Sequence, residues 1–256
     1  MNNFKLIKFI FVYLFFLLSF FIALSTKADS LNIAVSSNFS HLIKQIIKEY
    51  KKIYDINVNL SIGSTANIYH QIINGAPYDI FLSADQKHPD LLKIKKLGVG
   101  EVYTYACGKL VIWSKQASLD SLGLMTRTDY ENSVISIANP KTAPYGQAAK
   151  EYLNKINIYN FIEKKLVKGV NVAQVFNFAK SNNVDVAFVA LSQIKHNNVS
   201  KKNYYIIPKE LYNPIKQDVI VLKNGKNLYH SKQFYNFLKK DNIRGIINSS
   251  GYDIYC

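Results

Sequence analysis

The stretch SIGSTANIYHQIINGAPYDIFLSAD, residues 61–85, combines a strand, a hydroxyl-bearing turn, a helix and a second strand. Apolar residues at helical spacing within residues 68–73 predict the helix, and Asn74-Gly75 is typical of a left-handed helix end. Ser64 and Thr65 fall at the turn before it. In such a βαβ unit the free backbone N–H groups, the hydroxyls and the positive helix end face the same space. The stretch therefore predicts an oxyanion site, although residues that only cap the helix would give the same pattern.

The same order of strand, polar turn and helix recurs along the chain. Apolar or β-leaning runs predict further strands at residues 31–35, around 58, and at 102–114, 134–138, 166–167, 184–191 and 217–223. The run at 102–114 is long and is bent at Gly108, as expected of a strand that passes between two lobes. Asp85 is expected to cap the next helix and Gly98 to end it. The alternation predicts an α/β fold with mostly parallel sheets flanked by helices.

Four strand-to-helix turns carry the candidate site. They contain Ser37-Asn38, Ser64-Thr65, Tyr145 and Asn171-Val172, and none of these residues is charged. A dehydrated cavity of neutral N–H and O–H donors can hold a dianion without a counter-charge, whereas catalysis normally needs an acid, a base or a metal. The five histidines, at 41, 70, 88, 196 and 230, show no metal-ligand spacing. The turns therefore favour anion binding without chemistry.

The net charge of the chain is +15, and three of its lysines fall in the first 28 residues, which leaves +12 for the remainder. A basic balance can indicate nucleic acid or an anionic membrane surface as a partner. Here the lysines are spread through nearly every segment, without an arginine-rich block or a nucleic-acid-binding motif. The charge is interpreted as a solvated surface, and no nucleic-acid partner is expected.

The N-terminal segment reads as an export signal. Lys5 and Lys8 precede an apolar run at residues 9–24, and Ser25 to Ala28 supplies small residues at the usual cleavage spacing. This pattern predicts a signal peptide of residues 1–28, cleaved after Ala28, and a periplasmic protein with no membrane insertion afterwards. The apolar run is long for a signal core and short for a spanning helix, so an uncleaved anchor stays open.

Two cysteines, Cys107 and Cys256, are present. An exported protein can bridge such a pair, but no repeated spacing indicates a disulfide framework. Their pairing stays open, and the fold is not expected to depend on it.

Five stretches resemble the periplasmic molybdate-binding proteins of ABC importers: AVSSNFSHL (34–42), GSTANIYHQIINGAPYDIFLSAD (63–85), TYACGKLVIWS (104–114), NPKTAPYGQAAKEYL (139–153) and NVAQVFNFAKSNNVDVAFVALSQ (171–193). The resemblance implies a type II periplasmic-binding fold. In this fold two α/β lobes, each a mostly parallel sheet flanked by helices, are joined by two crossings, expected here near residues 106 and 214. The implied lobes are residues 29–106 with 214–256, and residues 107–213.

The resemblance also implies an oxyanion-binding set drawn from both lobes. Its members here are Ser37, Asn38, Ser64, Thr65, Tyr145 and Val172. Thr65 stands where serine is more usual and keeps the hydroxyl. Some relatives place a tyrosine where this chain has Ala190, so that contact is expected to be absent.

The implied function is that of a monomeric exported receptor that captures molybdate or tungstate between its lobes and presents it to an ABC importer permease. No catalysis and no cofactor are expected, and molybdenum enters only within the bound oxyanion. A receptor for sulfate or another tetrahedral oxyanion would use the same neutral donors. An exported enzyme on the same scaffold would need a convergent acid, base, nucleophile or metal set. A third alternative is a ligand-sensing domain of a DNA-binding regulator. The predicted signal segment and the lack of a helix-turn-helix pattern in the sequence count against it.

Overall fold

The computed structural model describes residues 30–115 and 125–256, and the predicted signal segment lies outside them. The strands are β1 Ser30–Ser36, β2 Asn57–Gly63, β3 Ile80–Leu82, β4 Gly98–Gly108, β5 Leu110–Trp113, β6 Ile135–Ala138, β7 Val167–Gly169, β8 Val186–Ala190, β9 Tyr204–Ile206 and β10 Ile215–Leu222. The helices are α1 Ser40–Lys51, α2 Thr65–Ile73, α3 Lys87–Ile94, α4 Arg127–Asn132, α5 Pro144–Lys155, α6 Tyr159–Ile162, α7 Val172–Lys180, α8 Leu191–His196, α9 Leu228–Phe237 and α10 Asp241–Ser249. Short 3₁₀ turns lie at Ser37–Phe39, Lys201–Asn203 and Lys209–Leu211.

The strands form two mixed sheets of five strands each, in the orders β2-β1-β3-β10-β4 and β7-β6-β8-β5-β9. Each sheet with its helices is called a lobe below, lobe one containing β1 and lobe two containing β6. The two-lobed α/β fold class is confirmed. Parallel pairing is confined to β2-β1-β3 and to β7-β6-β8, which are joined through helices, while the remaining neighbours pair antiparallel. The sheets are therefore less parallel than predicted, because the strands that carry the chain between lobes enter antiparallel.

The chain crosses between the sheets twice. It leaves the first sheet at Gly108 and enters the second at Leu110, and it returns between Ile206 and Ile215. The long strand predicted at 102–114 is therefore two strands in different sheets, with the break at the predicted bend. The predicted lobe limits at 106/107 and 213/214 stay predictions.

The C-terminus is tied to the first crossing. Cys107 and Cys256 form a disulfide, which answers the question that the sequence left open. The backbones of Cys107 and Asp253 also exchange two hydrogen bonds, at 2.8 and 3.0 Å, and Lys109 forms an ion pair with Asp253 at 2.7 Å. The last residues therefore form part of the region where the lobes join.

Both faces of the first sheet are covered. Ile33 and Val35 of β1 lie in one apolar cluster with Phe39 and Phe234, whereas Ala34 between them lies in a second cluster on the other face. Burial on both faces explains why the strand reads as a continuous apolar run in the sequence. Lobe two has a single large core of its own.

Several predicted element ends are shifted. Asp85 accepts a hydrogen bond from the backbone N–H of His88 at 3.0 Å, as a capping side chain does, but the N-cap residue of α3 is Gln86, one position later. The helix α3 ends at Ile94 and is followed by Lys96 at a φ of 57°, so Gly98 is not its stop but the first residue of β4. The prediction failed because a lysine took the left-handed position that usually favours glycine.

Gly146, in the first turn of α5, sets how closely that helix packs on β6. A Cβ at this position would lie 2.6 Å from the carbonyl carbon of Ala138 and 3.0 Å from that of Asn139. We expect Gly146→Ala to lower the free energy of unfolding by about 1–3 kcal/mol, because the added methyl forces α5 away from the strand. Denaturant unfolding measures the change.

A matched control is Gly245→Ala in α10, where an added Cβ would meet no atom within 4 Å. In that open helical position alanine should raise the free energy of unfolding by up to about 1 kcal/mol. Equal responses of the two variants would contradict the packing argument.

Candidate anion-binding site

A small cavity between the two lobes is lined by all six residues predicted for the site. The cavity volume is only about 10 Å³, far below the roughly 300–1,000 Å³ of pockets for drug-sized ligands, so the closed cavity suits only a very compact ligand. The lining residues are Ser36, Ser37, Asn38, Gly63, Ser64, Thr65, Ala84, Ala143, Pro144, Tyr145, Asn171 and Val172. None of these twelve residues carries a charge.

Three helices begin at the cavity wall. Thr65 and Val172 are the first residues of α2 and α7, and Tyr145 is the second residue of α5. Backbone N–H groups at these positions have no acceptor within their own helix. Because the positive ends of three helix dipoles meet in one place, the cavity favours an anion.

The Ser64 hydroxyl is buried and has no hydrogen-bond partner within residues 30–115 and 125–256. Ser64 is the N-cap residue of α2 by backbone geometry, with φ −75° and ψ 150°, but its side chain makes no capping hydrogen bond. A side-chain cap therefore does not account for this serine. A buried hydroxyl without a partner costs about 1–3 kcal/mol, so Ser64 has a donor to offer to an acceptor in the cavity.

The Thr65 hydroxyl lies in a small network with Ser36. The two oxygens are 2.7 Å apart, and the backbone N–H of Ala84 donates to Ser36 at 3.1 Å and to Thr65 at 3.4 Å. Because one hydroxyl must donate to the other, the proton of the acceptor stays free for a ligand. Ser36 was not predicted, although the Ser36-Ser37 pair at the end of β1 was a local signal.

The side-chain polar groups of Asn38 and Tyr145 both form hydrogen bonds with Gln217. Asn38 Nδ2 donates to Gln217 Oε1 at 2.8 Å and to the Tyr252 hydroxyl at 3.1 Å. The Tyr145 hydroxyl accepts from Gln217 Nε2 at 3.3 Å. Burial raises the pKa of Tyr145 well above its ordinary value, so the phenol stays neutral. Asn38 thus has only its backbone N–H to offer a ligand, whereas Tyr145 has its backbone N–H and also its hydroxyl proton, because that hydroxyl accepts from Gln217.

The side chains of Asn171 and Gln193 form hydrogen bonds with the backbone at the start of α7. Asn171 accepts a hydrogen bond from the backbone N–H of Gln174 at 3.0 Å, which confirms the predicted cap. Gln193 Nε2 donates to the Val172 carbonyl at 3.1 Å, while its Oε1 accepts from the Ala190 N–H at 2.9 Å. Ala190 itself is not among the lining residues. Neither Gln193 nor Gln217 was predicted, because each is far in sequence from the turn that it supports.

The lobes are closed over the cavity. The Ala66 N–H of lobe one donates to the Thr142 carbonyl of lobe two at 3.1 Å, and the Ser192 hydroxyl of lobe two donates to the Asn38 carbonyl at 3.2 Å. All six predicted site residues are at most 4% exposed. Hydrogen bonds to an anion are stronger in such a low-dielectric setting than in water.

Two observations concern other classes of site. Within residues 30–115 and 125–256, no three His, Cys, Asp or Glu side chains lie close enough together to hold a metal ion. In the same ranges, no helix is both long and apolar enough to cross a membrane.

A closed cavity of neutral donors between two doubly connected α/β lobes defines a two-lobed solute-binding protein. The family described as bacterial extracellular solute-binding protein matches residues 31–253. The chain belongs to that family.

Similar proteins agree with this assignment. The molybdate-binding protein ModA of Rhodobacter capsulatus is 37% identical over 235 residues, which cover 90% of this chain and 91% of that protein. The structure of the Azotobacter vinelandii periplasmic molybdate-binding protein superposes with a TM-score of 0.82 and 30% identity, covering 87% and 98% of the two chains. The sulfate-binding protein SubI of Mycobacterium tuberculosis, at a TM-score of 0.74 and 12% identity, shares the fold.

Proposed function

We propose that this chain is an exported receptor that binds molybdate or tungstate between its lobes and delivers the oxyanion to an ABC importer. The observation that carries the proposal is the buried, unpartnered Ser64 hydroxyl in a cavity with no charged lining residue. A ligand that supplies only acceptors and its own negative charge completes this site. The identity to proteins named as molybdate-binding supports the choice of anion.

The proposed donors are neutral and come from both lobes. The hydroxyls of Ser37, Ser64 and Thr65 and the backbone N–H of Asn38 serve from lobe one. The backbone N–H groups of Tyr145 and Val172 serve from lobe two. The wall of the cavity offers no carboxylate, imidazole or amine to act as an acid or base. The proposal accordingly includes no chemistry on the anion and no cofactor, and molybdenum enters it only as cargo.

The proposed function also includes export of the protein and its contact with the importer. Cleavage after Ala28 releases a periplasmic monomer that presents its closed form to the importer permease. Its basic surface serves no nucleic acid.

Calorimetric titration with molybdate, tungstate, sulfate and phosphate tests the proposal. We expect molybdate and tungstate to bind most tightly. Sulfate should bind about ten- to a hundredfold more weakly, the value of one charge-assisted hydrogen bond that a smaller ion cannot reach. Hydrogen phosphate should be weakest, because its proton needs an acceptor and no lining side chain is a carboxylate. Sulfate affinity equal to that of molybdate would make this protein a receptor for a different oxyanion.

A further inference from the structure

Gln217 of β10 joins residues that line the cavity from opposite lobes. The side chain is fully buried in the strand that follows the second crossing. Its Oε1 accepts from Asn38 of lobe one at 2.8 Å, and its Nε2 donates to the Tyr145 hydroxyl of lobe two at 3.3 Å. A single carboxamide thus spans the interface between the lobes beside the proposed anion site.

The orientation of this carboxamide follows from the polarity of its neighbours. The Tyr252 hydroxyl donates its one proton to the Asn38 carbonyl at 2.9 Å, so its oxygen can only accept from Asn38 Nδ2, at 3.1 Å. The second N–H of Asn38 then faces an acceptor, Gln217 Oε1, which also accepts from the Tyr105 hydroxyl at 3.2 Å. Nε2 of Gln217 therefore faces Tyr145. The hydrogen-bond network fixes this assignment of the amide nitrogen and oxygen.

Resting on the proposed function, we propose that Gln217 is a positioning residue that couples closure of the lobes to the arrangement of the anion site. Its bond to Tyr145 connects β10 of lobe one to the first turn of α5 of lobe two, so separating the lobes draws the two groups apart. A Cβ at Gly108 would overlap the Tyr145 hydroxyl and lie 2.8 Å from Gln217 Nε2, so the glycine at the first crossing makes room for the contact.

Because the contact belongs to the closed form, its loss should act on release of the anion and not on encounter. We expect Gln217→Met to raise the rate constant for molybdate dissociation by about five- to fiftyfold, the effect of a buried hydrogen bond whose partner is left unsatisfied. The association rate constant should stay within about threefold of that of the parent protein. Stopped-flow binding at several molybdate concentrations measures both rates.

A double-mutant cycle separates this role from a general loss of stability. Tyr145→Phe removes the other partner, so the double variant Gln217→Met/Tyr145→Phe should release molybdate no faster than Gln217→Met alone. The control is Gln71→Met on α2, the same replacement at an exposed glutamine that contacts Tyr78. It should release molybdate at the parental rate.

The outcomes are distinct. Parental dissociation in Gln217→Met, or effects of the two single variants that add fully in the double variant, overturn the coupling role while leaving the proposed function in place. If Gln217→Met fails to fold, Tyr145→Phe still decides, because parental release after loss of that single oxygen also overturns it. Failure of the parent protein itself to bind molybdate removes the proposed function and this role with it.

Discussion

Ser64→Ala should weaken molybdate binding by about ten- to a hundredfold while leaving the ligand-free protein about as stable as the parent. The Ser64 hydroxyl has no hydrogen-bond partner among the described residues, so its removal breaks no hydrogen bond within the protein. In the complex the same hydroxyl is a proposed donor to a charged ligand, a contact worth roughly 1.5–3 kcal/mol. Thermal melting of the ligand-free protein and calorimetric titration measure the two effects.

The control with the opposite expected outcome is Ser136→Ala. Ser136 is equally buried, but its hydroxyl donates to the Val167 carbonyl at 2.9 Å within the sheet of lobe two and does not line the cavity. Its replacement should lower the melting temperature and leave the affinity unchanged. A Ser64→Ala protein that binds molybdate as tightly as the parent would remove Ser64 from the donor set.

Thr65 differs from Ser64 because its hydroxyl has a hydrogen-bond partner within the protein. Its hydroxyl forms a hydrogen bond with the Ser36 hydroxyl, so Thr65→Ala should reduce both stability and affinity. Thr65→Ser keeps the hydroxyl and should change either quantity only slightly. Two adjacent hydroxyls in one turn thus have different energetic roles, which the sequence alone does not distinguish.

The parts of the structure that the sequence predicted are those fixed by nearby residues. Asn171 caps α7 and Pro144 begins α5 because a cap or a fixed φ acts within one helical turn. The convergence of the four turns followed from the family resemblance, and the structure brings them to one cavity.

The parts that escaped prediction depend on residues far apart in the sequence. Gln217 is separated by 179 residues from Asn38 and by 72 from Tyr145, so no periodicity or spacing links them. The unpaired state of Ser64 is likewise a tertiary property, since a serine before a helix usually caps it. Local patterns therefore located the proposed donors, whereas packing decides which of their hydroxyls already have a partner within the protein.

Val172→Pro should show whether the backbone N–H of Val172, and not its side chain, contributes to anion binding. Val172 follows the capping residue Asn171, so its N–H has no intrahelical acceptor and is a proposed donor to the anion. Proline is tolerated at this first helical position, and Asn171 has the extended backbone, φ −155° and ψ 171°, that a residue before proline requires. We expect a nearly parental melting temperature for the ligand-free protein and a loss of about ten- to a hundredfold in molybdate affinity.

Val172→Ala should behave in the opposite way. The side chain is 3% exposed, so the loss of two methyl groups should lower the free energy of unfolding by about 1–2 kcal/mol. The N–H is retained, and molybdate affinity should stay close to that of the parent. Melting and titration of both variants decide between the two accounts of this turn. If alanine weakens binding as much as proline does, the valine side chain shapes the cavity, and the anion at this position is held by packing and not by a backbone donor.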